Sequence, residues 1–288
     1  MKKVWIFGDS ISAEYSPKSD SYQQSWAHFL REHLTDDIEY KNVAVAGSTL
    51  KWFCHSDAYK KGEAHENKPE ESLWYKIVSE VSEGDFFIFF ISGTNDHGQV
   101  GGNKYFPCEN GDYILDDFQK LFNNVDRYLY VGEGFGTHRY HTTTSTVEEF
   151  AEILEDMINQ VKAKGAVPIM LRGTSKYYMR NDDNFDVFPS SHLYMAALPA
   201  LCEKTKVEYL DIGGIFDKGF KEKGYKYMMD NYFMTINAYK MLNEKYGNDI
   251  PRDWNDNCHH NLEGGKHICG IFMEEIKRIN HPLKNHLK

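Results

Sequence analysis

Two stretches at opposite ends of the chain hold residues that can do nucleophilic and acid–base chemistry together. In "VWIFGDSIS", Val4 to Ser12, a β-branched and aromatic run breaks into Gly8-Asp9-Ser10. In "DNCHHNLEGG", Asp256 stands three residues before His259, a spacing that makes side chains neighbours within one turn. A carboxylate there can accept the Nδ1–H of His259, fix its tautomer and leave Nε2 free as a base, which is what a nucleophilic serine needs. His260 is the rival base, but its place one residue on turns it away from Asp256.

Two further stretches supply hydrogen-bond donors. "NVAVAGSTLKWF" spaces Asn42, Ala44 and Gly47 so that a glycine falls just past a strand end, where backbone can approach a ligand and present an N–H. "DFFIFFISGTND" delivers Gly93-Thr94-Asn95-Asp96 after a buried-strand pattern, and Asn95 can offer a side-chain amide. Gly, Asp, Ser and Asn are also what ordinary turns are made of, so each piece alone reads equally as a turn. His259, His260, His267 and Asp256 form a local cluster, but no HExxH or cysteine pair gives it metal-ligand spacing, and no metal is expected.

Position is what raises these residues above turn chemistry. Strand-like runs at Lys3–Phe7, Tyr40–Val45, Phe86–Ile91, Val167–Leu171 and Val207–Leu210 alternate with amphipathic helical patterns. The helical patterns cover Tyr22–His33, Ser72–Val81, Val147–Lys164, Leu193–Lys204 and Leu262–Ile279, with Lys164-Gly165 as a helix stop. Five βα units predict an α/β fold with a doubly wound, five-stranded parallel sheet, whose ligands bind at the carboxyl ends of the strands. Ser10, Gly47 and Asn95 all follow strand ends. Two aromatic-rich excursions, 98–145 and 225–257, interrupt the pattern, and long loops of this kind are often functional.

Composition narrows the partners. In 288 residues, 41% are hydrophobic and 15% aromatic, with 19 Tyr and 18 Phe, which excludes disorder. The 33 basic against 43 acidic residues give a formal charge of −10 without a basic stripe, so no nucleic-acid partner is expected. The apolar run Val4–Phe7 after Met1-Lys2-Lys3 is too short for a signal peptide, and no segment approaches a membrane span. No membrane partner is therefore expected, and the five cysteines are scattered and lack any CxxC, which fits a reducing cytoplasm. The loop after the first strand lacks the glycines that cradle phosphates, which disfavours a flavodoxin-like nucleotide binder.

Ser10 in GDS, Gly47 in NxAxxG, Asn95 in GTND and Asp256/His259 in DxxHxN occur in the order and spacing of the four signature blocks of the GDSL/SGNH hydrolase superfamily, which the chain resembles. Within it, the layout is similar to the rhamnogalacturonan acetylesterase branch from end to end, with Ile11 where that branch usually has threonine. The resemblance implies one SGNH hydrolase domain over 1–288, a three-layer flavodoxin-like α/β/α sandwich. It implies Ser10 as nucleophile, His259 as base and Asp256 as its orienter. The oxyanion hole would be the N–H groups of Ser10 and Gly47 and the Asn95 side-chain amide.

The activity so implied is a cytoplasmic serine esterase that removes O-acetyl groups from rhamnogalacturonan, pectin or another acetylated carbohydrate, without metal or organic cofactor. A lipase or thioesterase acting on longer acyl esters is the nearest alternative, and a non-catalytic sugar-binding protein a further one. Pectic backbones are polyanionic, against the net charge of this chain. Lys51, Arg139, Arg172 and Lys176 are the cations near strand ends that can offset it.

Overall fold

The computed structural model describes residues 1–15, 22–60, 66–96, 145, 147–174, 177–181, 184–187, 194–252 and 255–288. Its strands are Lys2–Phe7 (β1), Ile38–Asn42 (β2), Phe86–Ile91 (β3), Val167–Arg172 (β4), Tyr177–Asn181 (β5), Asn184–Val187 (β6) and Glu208–Leu210 (β7). The five-stranded sheet has the order β2-β1-β3-β4-β7, and every neighbouring pair in it is parallel. That order reverses between β1 and β3, the switch point where ligands collect in open α/β sheets. The residues after β1 and β3, Gly8-Asp9-Ser10 and Ser92 to Asp96, therefore lie side by side.

The helices are Trp26–His33 (α1), Leu50–Cys54 (α2), Asp57–Lys60 (α3), Leu73–Glu80 (α4), Val147–Ala163 (α5), Leu198–Thr205 (α6), Ile212–Lys223 (α7), Tyr225–Tyr232 (α8), Ile236–Tyr246 (α9) and Leu262–Arg278 (α10). α10 packs on α1, α7 and α8, while α2 packs on α4 and α5, and α5 on α6. β3 shows why the sheet takes helices on both faces, since all six of its residues are buried. Its period of two sends Phe87 and Phe89 to Trp74 of α4, at ring distances of 5.8 and 6.3 Å, and sends Phe90 to Trp26 of α1 at 5.2 Å. Phe7 of β1 meets Phe53 of α2 at 4.4 Å and Trp74 at 5.6 Å. Trp26 reaches across to Phe272 of α10 at 5.3 Å, so one aromatic layer lies above the sheet and one below. Among the described residues no helix is long and apolar enough to cross a membrane.

Several elements differ from the sequence expectation, some for a clear local reason. The helix expected from Tyr22 starts at Trp26, because Ser25 accepts the His28 N–H as its cap and Gln23 and Gln24 are extended against Asn261 and His260. β2 ends at Asn42 rather than Val45, although Val43 and Val45 still donate to Ile6 and Gly8. There the Asn42 side chain takes over, accepting the Ala44 N–H at 3.0 Å. The excursion 225–257 contains two helices, α8 and α9, with Thr235 capping the second through the Ala238 N–H. The antiparallel hairpin of β5 and β6 was not expected from the sequence. Of the other excursion, 97–144 lies outside the described residues.

Candidate active site

Ser10 sits in a tight turn that begins as β1 ends. The Asp9 carbonyl accepts the N–H groups of Ser12 and Ala13, at 3.0 and 2.9 Å, so the chain curls at once into a single helical turn. Gly8 makes the exit possible: a Cβ there would stand 2.9 Å from both the Phe90 carbonyl oxygen and Ser12 Oγ. The Asp9 carboxylate ties the turn down, accepting the Ile11 N–H at 2.9 Å on one oxygen and the Ser92 hydroxyl on the other. Further bonds come from Trp26 Nε1 to Ser12 Oγ, Asn42 Nδ2 to the Ser12 carbonyl and the Tyr15 hydroxyl to the Ser10 carbonyl, at 2.8–2.9 Å. Ser10 is left half-buried at the carboxyl edge of the sheet.

His259 arrives from the other end of the chain. Its Nε2 lies 2.9 Å from Ser10 Oγ and its Nδ1 lies 2.8 Å from Asp256 Oδ2. The second Asp256 oxygen accepts the N–H groups of Cys258 and His259, at 2.9 and 3.0 Å. Burial raises the Asp256 pKa, but the bond and charge of His259 and those two N–H groups outweigh it and hold the carboxyl below its ordinary range. The loop is fixed on both sides by backbone. Gln23 pairs with Asn261 and Phe233 with His260, while Met234 donates to the His259 carbonyl and accepts the Asp256 N–H. Asn261 caps α10 through the Gly264 N–H and donates to the Asn231 and Phe233 carbonyls.

The expected donors face the same edge. Gly47 takes a left-handed φ of +73°, which only glycine adopts without strain, just past the end of β2. Among the described residues neither the Ser10 N–H nor the Gly47 N–H has a protein acceptor. Asn95 Nδ2 donates to the Ser48 carbonyl at 3.1 Å, which fixes the amide plane and leaves its second hydrogen available.

The imidazoles of the C-terminal cluster serve different neighbours. His260 is buried between Phe216 and Phe233, at ring distances of 5.5 and 4.7 Å, and burial pushes its pKa down to about 3. His267 stacks on Tyr232 at 4.8 Å. Of the cations expected to offset the net charge, Lys51 pairs with Glu149, and Arg172 is held by Asp211 and Asp217 at 2.8 and 3.1 Å. Arg139 and Lys176 lie outside the described residues.

Sequence reasoning passed over several residues around the site. Arg252 Nη2 stands 3.5 Å from Asp256 Oδ2, with both side chains nearly buried, and its guanidinium lies 5.1 Å from the Tyr239 ring centre. Asp96, read only as a turn residue, is fully inside and accepts the Leu50 N–H at 2.9 Å. Burial, with the nearby Asp9 charge adding to it against the Leu50 bond, pushes its pKa up to about 7. The only signal for Asp96 was its place next to Asn95. For Arg252 it was the spacing of four from Asp256.

Comparison with known proteins agrees with this architecture. Residues 4–246 match the model of the GDSL-like lipase/acylhydrolase family. Over 280 residues the chain is 22% identical to a probable rhamnogalacturonan acetylesterase, YesY, of Bacillus subtilis (strain 168), covering 97% of this chain and 94% of that protein. It is 21% identical to an uncharacterized esterase of the same organism, YxiM, covering 96% of this chain but 52% of that protein, so it spans about half of that relative's length. The crystal structure of YxiM superposes with a TM-score of 0.59 at 18% identity, over 98% of this chain and 57% of that one. A mutant of an acetyl-xylooligosaccharide esterase from Geobacillus stearothermophilus shares the fold at a TM-score of 0.50 and 12% identity, over 96% and 94% of the two chains. With a matching family model over most of its length, the chain belongs to the GDSL-like lipase/acylhydrolase family and is a carboxylic ester hydrolase of the GDSL type.

Proposed function

We propose that the protein removes O-acetyl groups from a carbohydrate through an acyl-enzyme intermediate. The observation that carries the reading is the unbroken series Ser10 Oγ, His259 Nε2, His259 Nδ1 and Asp256 Oδ2, bonded at 2.9 and 2.8 Å. In the first step Ser10 Oγ bonds to the acetyl carbonyl carbon while its proton passes to His259 Nε2. The carbonyl π pair moves onto oxygen, which the Ser10 and Gly47 N–H groups and the Asn95 amide receive. Collapse of the tetrahedral intermediate breaks the ester bond, and the His259 proton leaves with the sugar hydroxyl. Water then repeats the sequence on the acetyl-serine, and acetate departs with Ser10 regenerated. Asp256 stays ionised throughout, holding the imidazole in the required tautomer and stabilising its cation.

The acetyl-carbohydrate part of the reading is supported by the relative described as a probable rhamnogalacturonan acetylesterase. A screen of acetylated oligosaccharides against p-nitrophenyl esters of increasing chain length tests it. Acetyl esters should be cleaved much faster than octanoyl esters, and acetylated saccharides should release acetate. Preference for long acyl chains moves the function to a lipase or thioesterase.

A further inference from the structure

A pocket of about 470 Å³ opens beside the loop that carries Asp256 and His259. Its wall includes Thr235, Asn255 and Asn257. Thr235 follows Met234, whose carbonyl accepts the Asp256 N–H at 3.2 Å and whose N–H donates to the His259 carbonyl at 3.1 Å. Asn255 and Asn257 flank Asp256 directly, and Asn257 lies two residues before His259, which limits their Cα separation to about 7 Å. One wall of the pocket is thus built from the same strip of backbone that positions the relay.

The lining has the chemistry of a sugar site. Met229 and the half-buried Tyr225 supply apolar surface suited to the C–H face of a pyranose ring. With it come amides whose directions are set. Asn255 accepts the Ile236 N–H at 2.9 Å through its oxygen, which leaves the NH₂ free to donate. Asn257 donates to the Tyr177 carbonyl through its NH₂, which leaves the oxygen free to accept. Exposed Asn237 at the rim adds both. Vicinal hydroxyls, each donor and acceptor at once, complement such a set.

Charge decides which sugar. Among the described residues, the charged side chains that line the pocket are Lys226 and Asp230, and they are paired with each other. Among the described lining residues the one cation, Lys226, is held by Asp230, and the protein carries a net charge of −10, both of which disfavour a uronate carboxylate. We infer that this pocket is a subsite for a neutral pyranose of the acetylated substrate chain, selecting neutral oligosaccharides over polyuronates. The inference rests on the acetyl-carbohydrate reading above.

The test compares wild type with Asn237→Ala and with Asn237→Trp, which fills the pocket. The ratio of kcat/KM on acetylated xylo-oligosaccharides to that on p-nitrophenyl acetate should fall about tenfold or more in the tryptophan variant and by less in the alanine variant. Calorimetry with unacetylated xylo-oligosaccharides should show binding to wild type that the tryptophan variant loses, a readout independent of turnover. Wild type should also prefer acetylated xylo-oligosaccharides to acetylated oligogalacturonides of equal length. Acetate release with unchanged ratios and binding in both variants overturns the subsite alone. Preference for the oligogalacturonide overturns its selectivity. Absence of acetate release from every acetylated saccharide overturns the carbohydrate reading and this inference with it.

Discussion

The loops carrying Ser10 and His259 meet in one hydrogen bond but are held by different means. Around Ser10, beyond the turn's own backbone bonds, most of the fixing groups are side chains: the Asp9 carboxylate, the Ser92 hydroxyl, the Asn42 amide, the Trp26 indole and the Tyr15 phenol. Around His259, backbone does much of the work, through Gln23 on one side and Phe233 and Met234 on the other. A loop held by side chains can be undone by one substitution. A loop held by backbone tolerates changes of side chain as long as the segments stay packed, so the two halves of the site should respond differently to mutation.

The largest effect should come from the bond where the halves meet. Ser10→Ala should lower kcat by on the order of 10⁵- to 10⁶-fold and abolish labelling by a fluorophosphonate; label on another serine would discard the assignment. Next, Asn95→Ala should lower kcat by about 10²–10³-fold with little change in KM, because its amide acts mainly on developing negative charge. A rise in KM alone would make Asn95 a binding residue.

A matched pair sharpens the contrast itself. Asp9→Ala removes the acceptor that fixes the serine turn and should cost about 10²-fold in kcat through misplacement of Ser10. Met234→Ala keeps its backbone bonds, so kcat should stay within a few-fold while stability drops by about 2–5 kcal/mol from the lost core side chain. Equal losses of kcat in the two variants would erase the distinction.

The smallest effect lies beneath the serine turn and is a matter of pH. Asp96 has a folded pKa raised to about 7 from an ordinary value of 3.8, so the folded state binds the extra proton and stability declines as pH rises from about 4 to about 7. Asp96→Asn keeps an acceptor for the Leu50 N–H but cannot ionise. Between pH 5 and pH 8, wild type should therefore lose about 2 kcal/mol relative to this variant, measured by denaturant unfolding. Parallel stability curves would remove the buried proton.

The same contrast explains what could be read from the sequence. Ser10, Gly47 and Asn95 were legible because each follows a strand whose hydrophobic pattern is plain, and Asp256 and His259 because their spacing is chemical. The five parallel strands were legible for the same reason. The extended course of Gln23 and Gln24 and the bridges through Phe233 and Met234 were not, since backbone hydrogen bonds leave no trace in residue identity. β5 and β6 escaped because the stretch from Tyr177 to Val187 is mostly polar and holds Asn and Asp, which are depleted in strands.

The Ser10–His259 bond joins positions 249 residues apart. The strand that ends at the serine is made well before the helix behind the histidine. During synthesis, then, a ribosome-bound chain carries Ser10 without His259 beside it, and on the proposed mechanism it cleaves no ester until α10 has emerged and packed on α1. Refolding imposes no such order, but recovered turnover there reports the joining of the two distant segments rather than the formation of either one alone.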